Sequence, residues 1–474
     1  MTRILRLACL LAAVVSLRPE PAALAARSVA FDAATIADLS AAFDAGTLTA
    51  ETLTRLCLAR INAYDAAGPR LHAVMALNPK ALDTARALDA ERRAKGRRSP
   101  LHGIPVVLKD NYNTTDLPTT GGSLLLEGSL PPADAELVTR LRAAGAIILA
   151  KVNMSEFASA ATHSSLGGQS LNPHDLARSP SGSSGGTGVA IAAGYAPLGF
   201  GTDTGGSIRG PAAANGIAAL KPTHGLLTRT GIIPLALTFD TGGPMARSVT
   251  DLAISLGLLA GADPADPATA KADGHRDSDY TRYLDAQALK GARIGVARDF
   301  LGADADVDWV FEASLATLRA QGATLVDVRY PHWLLTSKEE FYQAIRYPEF
   351  APQLKTYLAT LGPAYPKSLE EMIVRTQTLT ATRADGAGPN PSRWSLFTRE
   401  LASGPLDSAR YTSMRDHGLP LVRALVDGLF QSNRLDAIVY PTSGTKASLI
   451  AAPPGAGAVD VSATNIANLT GYPD

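Results

Sequence analysis

Short apolar runs and helical stripes alternate along most of this chain. Residues 38–64 read as two helices. The second starts at Thr49, a residue type that caps helices by accepting an N–H from the first turn. Leu53, Leu56, Cys57, Arg60, Ile61 and Tyr64 recur at helical spacing, which assigns Cys57 to the core. A third helix is predicted over 79–95. Val106, Val107 and Leu108 form a buried-type strand, and Lys109 stands just past its C-terminal end. A helix over 134–145 and a strand over 146–150 repeat the unit. Later come a strand over 289–297, a helix over 307–321, and strands over 324–328 and 435–440. Such alternation predicts one mixed α/β sheet with helices on both faces.

The stretch 181–211 breaks the rhythm. Two glycine–serine loops, Gly182-Ser183-Ser184-Gly185-Gly186 and Gly201-Thr202-Asp203-Thr204-Gly205-Gly206-Ser207, flank a small-residue helix over 189–194 and a strand over 196–200. The helix advances roughly 9–13 Å at 1.5 Å per residue. The strand returns a similar distance, so both loops end at the same edge of the layer and Ser183 can approach Ser207. Glycines permit positive φ, and consecutive N–H groups in a Gly-Gly-Ser turn can converge on one anion. A serine after such a turn has donors beside its hydroxyl, the layout of a nucleophile with an oxyanion hole. A plain Gly/Ser linker would need no apolar run between the loops.

Lys109 has two readings, an exposed charge or a buried base. An unperturbed lysine is neutral only about once in 2,500 molecules at pH 7. Burial would have to lower its pKa by roughly two to three units to make it a useful base.

Composition narrows the classes. With 46% hydrophobic and 19% charged residues, the 474-residue chain is foldable and globular. Its 44 Lys and Arg balance 44 Asp and Glu, a poor footing for nucleic-acid binding. The basic cluster Arg92-Arg93-Ala94-Lys95-Gly96-Arg97-Arg98 reads as a solvated loop. Arg3 and Arg6, an apolar core over 7–17 and Ala23-Leu24-Ala25 form the pattern of a secretory signal over 1–25. The expectation is a secreted or periplasmic protein, with 26–474 as its domain and no stable membrane span after cleavage. Cys57 then stands alone, without a disulfide partner. The eight histidines show no HExxH spacing, and no cofactor or metal is expected.

Several pieces now form one ordered pattern. They are Gly103-Ile104-Pro105-Val106-Val107-Leu108-Lys109-Asp110-Asn111, Lys151-Val152-Asn153-Met154-Ser155-Glu156-Phe157 and the two glycine–serine loops through Ile208-Arg209. The stretch 216–223 and Gly242-Gly243-Pro244-Met245-Ala246-Arg247-Ser248 complete it. From about residue 35 onward the chain resembles the amidase signature family. That resemblance implies a single large α/β domain with a mixed, mostly parallel twisted sheet covered by helices on both faces. It also implies a catalytic Ser–cis-Ser–Lys triad, with Ser207 as nucleophile, Ser183 as the bridge entered through a cis peptide from Gly182, and Lys109 as base. The backbone N–H groups of Thr204, Gly205, Gly206 and Ser207 would form the oxyanion hole, with Asp203 and Arg209 in support. The implied reaction is hydrolysis of a carboxylic amide through a serine acyl-enzyme. The substrate would be a small-molecule or peptide amide, and a homodimer is allowed.

Two other readings come with the family. One is the glutamine-hydrolysing component of a tRNA-dependent amidotransferase; the other is a carbamate or ester hydrolase on the same triad. Outside it, Gly182-Ser183-Ser184-Gly185-Gly186 matches G-x-S-x-G with Ser184 as nucleophile, but loop residues precede it where an α/β-hydrolase needs a strand. The aromatic-rich segment 331–405 is the expected substrate cap. The resemblance also implies a further strand and helix after Asn465 to Asp474, so the domain is expected to be truncated at that end.

Overall fold

The computed structural model describes residues 31, 33–159, 163–272, 274–451 and 463–474, so the signal pattern over 1–25 lies outside the described residues. Helix α1 (Ile36–Asp44) starts from a capping box made by Thr35 and Asp38. Helix α2 (Ala50–Ile61) starts at Thr49 as predicted, the threonine hydroxyl accepting the Thr52 N–H at 3.0 Å. Cys57 is fully buried. Strand β1 (Val74–Leu77), helix α3 (Ala81–Lys95), strand β2 (Pro105–Lys109), helix α4 (Glu136–Ala143) and strand β3 (Ile147–Val152) follow. After a hairpin, β4 (His163–Ser164) with β5 (Gly168–Gln169), come α5 (Gly185–Ala192), β6 (Leu198–Asp203) and α6 (Arg209–Asn215). Then β7 (Ala218–Ala219), β8 (Thr241–Ala246) and α7 (Val249–Leu259) complete the first half.

The large sheet has the order β1-β3-β2-β6-β8-β7. Its centre, β3-β2-β6, is parallel; β1, β8 and β7 join antiparallel. Every residue of β2, β3, β6 and β8 is buried. That is why β2 and β3 read as continuous apolar runs rather than alternating ones: layers cover both faces.

The second half holds β9 (Arg293–Ala297), α8 (Ala305–Ala320), β10 (Thr324–Val328), α9 (His332–Ala359) and α10 (Leu369–Thr376). It ends with α11 (Pro391–Leu401), α12 (Ala409–Ser413), α13 (Leu419–Asn433), β11 (Ala437–Val439) and α14 (Thr464–Thr470). The three late strands are present, but they pair with one another. They form a separate parallel sheet, β10-β9-β11, instead of extending the first. Helix α8 supplies the crossover between β9 and β10, which suffices to close a parallel pair locally.

Segment 331–405 is a helical layer with its own core. Helix α9 runs for 28 residues, and Phe350 and Phe397 stack at 6.1 Å between centroids while Phe157 meets both rings edge-on. Arg346 and Arg393 share the buried carboxylate of Glu400, at 2.7 and 2.8 Å. No helix among the described residues is long and apolar enough to cross a membrane.

Candidate active site

The site forms where β2 and β6 end side by side. Lys109 is the last residue of β2, and the parallel register sets Leu108 opposite Phe200. Its side chain therefore reaches the end of β6. Lys109 Nζ donates to the Thr202 hydroxyl at 2.7 Å and to the Thr202 carbonyl at 3.2 Å, and its third contact is Ser183 Oγ at 2.7 Å. Of the two readings open in the sequence, the buried one holds: Lys109 is 0% exposed. Burial lowers its pKa from 10.5 to about 7, against the attraction of Asp203 and Asp240. Asn111 Nδ2 donates to the same Thr202 hydroxyl at 2.9 Å.

Ser183 reaches Lys109 from the loop before α5. The Gly182–Ser183 peptide is cis. The Ser183 carbonyl accepts the Ser155 N–H at 3.0 Å, and Gly186 N–H donates to the Asn153 carbonyl at 3.0 Å. A β-carbon on Gly186 would sit 2.4 Å from that carbonyl oxygen, so only glycine lets the start of α5 approach the exit of β3 so closely. Ser184, the competing nucleophile, is fully buried. Its buried hydroxyl bridges the Thr202 backbone, donating to the carbonyl and accepting the N–H, both at 3.2 Å.

Ser207 lies on the turn between β6 and α6 and is partly exposed. Its carbonyl accepts the Ser184 N–H at 3.1 Å, which ties the two glycine–serine loops together as the out-and-back geometry requires. The Ser207 hydroxyl makes no hydrogen bond to Ser183. Asp203 organises the turn: its carboxylate accepts Gly206 N–H at 2.8 Å and Ile208 N–H at 2.9 Å. Arg209 grips the same carboxylate through Nη2 at 2.9 Å and Nε at 3.1 Å. Burial works to raise the Asp203 pKa, but Arg209 and the N–H donors hold it well below the usual carboxylate range.

One element of the expected oxyanion hole is corrected. Gly206 has φ +128°, and its N–H points into Asp203, so it is not available to a ligand. Among the described residues, the N–H groups of Thr204, Gly205 and Ser207 donate to no protein acceptor.

Helix α9 lies over this turn. A β-carbon on Gly205 would stand 3.0 Å from the Tyr342 ring and hydroxyl. Tyr342 also lines a cleft of about 460 Å³ with Ser159, Arg346, Tyr347 and Arg399. Sequence reasoning named Lys109, Ser183, Ser207, Asp203 and Arg209, and the fold gathers all of them. It missed Thr202, Asn111 and Ser155, which hold the lysine and the bridge, and Asn468 of α14, whose amide donates to Asp203 at 2.9 Å. Thr202 lay inside a motif already singled out; Asn468 carried no local signal.

Comparison with known proteins supplies the family and the fold. The family model Amidase matches residues 52–474. Among curated sequences, a glutamyl-tRNA(Gln) amidotransferase subunit from Chloroflexus aggregans is 39% identical over 84% of this chain and 80% of that protein. Among solved structures, the native peptide amidase of Stenotrophomonas maltophilia is 39% identical, with a TM-score of 0.82 over 93% of this chain and 88% of that one. The corresponding amidotransferase subunit from Thermotoga maritima is 27% identical, with a TM-score of 0.69 over 94% and 87%. The chain belongs to the amidase family and is an amide-hydrolysing enzyme.

Proposed function

We propose that this enzyme releases ammonia from a primary carboxamide by transferring the acyl group to Ser207. The observation that carries the reading is the 2.7 Å contact between buried Lys109 Nζ and Ser183 Oγ, beside the turn that bears Ser207. Neutral Lys109 takes the Ser183 proton while Ser183 takes that of Ser207. Ser207 Oγ bonds the carbonyl carbon, and the oxyanion faces the N–H groups of Thr204, Gly205 and Ser207. The proton returns through Ser183 to the nitrogen, the C–N bond breaks and ammonia leaves. Water then repeats the relay on the acyl-enzyme. Substrate binding is expected to bring Ser207 onto Ser183, since catalytic hydrogen bonds often tighten only in the complex.

Two observations divide on the substrate. Curated sequence relatives support glutamine as ammonia donor within an amidotransferase assembly. The peptide amidases, with TM-scores of 0.82–0.83 against 0.69 for the solved amidotransferase component, support a C-terminal peptide amide and a chain acting alone. The charged-then-apolar pattern over residues 3–25 also supports export, which would separate the enzyme from tRNA.

The test has two parts. A fluorophosphonate followed by mass spectrometry locates the reactive serine: label on Ser207 is expected, and label on Ser184 would overturn the assignment. Ammonia release is then measured from an amidated dipeptide and from glutamine. Turnover of the dipeptide by the isolated chain selects the stand-alone reading. Glutamine turnover only with partner proteins present selects the amidotransferase.

A further inference from the structure

Thr464 and Asn468 stand four residues apart on α14, so the helix places them one above the other on a single face. That face lies against the turn over 203–209. Thr464 Oγ1 donates to the Gly205 carbonyl at 2.9 Å. A β-carbon on Gly206 would meet the same hydroxyl at 2.5 Å, so helix and turn touch there. Asn468 Nδ2 donates to Asp203 Oδ1 at 2.9 Å, and Asn468 Oδ1 accepts from Arg209 Nη2 at 2.6 Å. Arg209 Nη1 reaches back to the Thr464 carbonyl at 2.9 Å.

These bonds converge on one peptide plane. The Gly205–Gly206 unit is pinned at its oxygen by Thr464 and at its N–H by Asp203, whose carboxylate Asn468 steadies. On either side of it lie the N–H groups of Gly205 and Ser207, which among the described residues have no protein acceptor. A planar peptide held at both ends limits rotation of the two units that flank it.

We propose that Thr464 and Asn468 are positioning residues for acyl transfer. They aim the oxyanion donors through the Gly205–Gly206 plane without touching the reacting atoms. The proposal rests on Ser207 being the nucleophile.

The test uses the full chain and phosphonylation of Ser207 by a fluorophosphonate, which needs no knowledge of the natural substrate. Thr464→Val keeps the side-chain shape and removes the donor; Thr464→Ser restores it. Removing a whole oxyanion donor lowers rates by about 100- to 1,000-fold, so misaiming the donors is expected to lower the maximal phosphonylation rate by about 10- to 100-fold. The half-saturating reagent concentration stays unchanged, and Thr464→Ser returns the rate to within about threefold of the parent. Asn468→Ala, which leaves the Asp203–Arg209 pair in place, is expected to behave as Thr464→Val does. It carries the test if Thr464→Val does not fold. A maximal rate within about twofold of the parent in the folded variants, or a loss confined to half-saturation, would overturn the proposal. Ser207→Ala separates the two readings. Labelling that persists in Ser207→Ala sinks the nucleophile assignment, whereas an unlabelled Ser207→Ala beside a normal Thr464→Val sinks only the positioning role.

Discussion

The pH dependence of Lys109 can be followed in both turnover and stability. Its amine is fully buried and meets two hydroxyls and one carbonyl. With a pKa lowered to about 7, about half the molecules hold the neutral amine at pH 7. At the ordinary value of 10.5 only about one in 3,000 would, so burial raises the competent fraction by about three orders of magnitude. Below about pH 7, kcat/KM is therefore expected to rise tenfold per pH unit, and above it to level off. Lys109→Arg should show only residual activity and no such limb, because a guanidinium does not deprotonate in this range.

The same shift predicts a stability signature of definite sign. Between about pH 7 and 10.5 the unfolded lysine binds a proton that the folded one does not, so folding stability rises with pH across that window. The slope from this one group is at most about 1.4 kcal/mol per pH unit, and the whole shift corresponds to at most about 5 kcal/mol. Lys109→Met lacks the ionisation. Its stability relative to the parent should be most favourable at and below pH 7, and this advantage should disappear as the pH approaches 10. Urea melts of both proteins at pH 7, 8 and 9 measure the difference. A difference that stays constant across those melts would refute the reasoning. So would an acid limb centred below about pH 5.5 or above about pH 8.5.

Three further outcomes are expected. Ser207→Ala and Ser183→Ala should each lose most amide hydrolysis with unchanged circular dichroism; undiminished turnover in either removes that residue from the relay. Asp203→Asn breaks the buried pair with Arg209 and should lower stability by about 3–5 kcal/mol in urea melts; a midpoint equal to the parent's would show that the pair is dispensable. Ser184→Ala loses the buried bridge to the Thr202 backbone and should cost about 1–3 kcal/mol while Ser207 is still labelled; loss of labelling in a folded Ser184→Ala would reopen the elbow assignment.

What could be read from the sequence follows the range of each interaction. Lys109, Ser183 and Ser207 sit in contiguous glycine–serine and strand-end motifs, and strand–helix–strand geometry alone brings the two loops together. The strands were legible because burial on both faces leaves continuous apolar runs, as in β3 with Ile147 to Ala150. Three features escaped. The late strands were visible as runs, but no pattern said that β9 would pair with β10 and β11 instead of extending the large sheet. The Gly206 N–H looked like one more oxyanion donor until Asp203, three residues earlier, proved to be its acceptor. The α14 contacts lay farthest from view: Asn468 meets Asp203 across 265 residues and Thr464 meets Gly205 across 259. Each is an ordinary polar residue whose meaning comes only from the chain returning to the turn. The chemistry of this site is thus written locally and its aim remotely. The two classes of variant should part accordingly: those at Lys109, Ser183 and Ser207 remove the reaction, and those on α14 slow it.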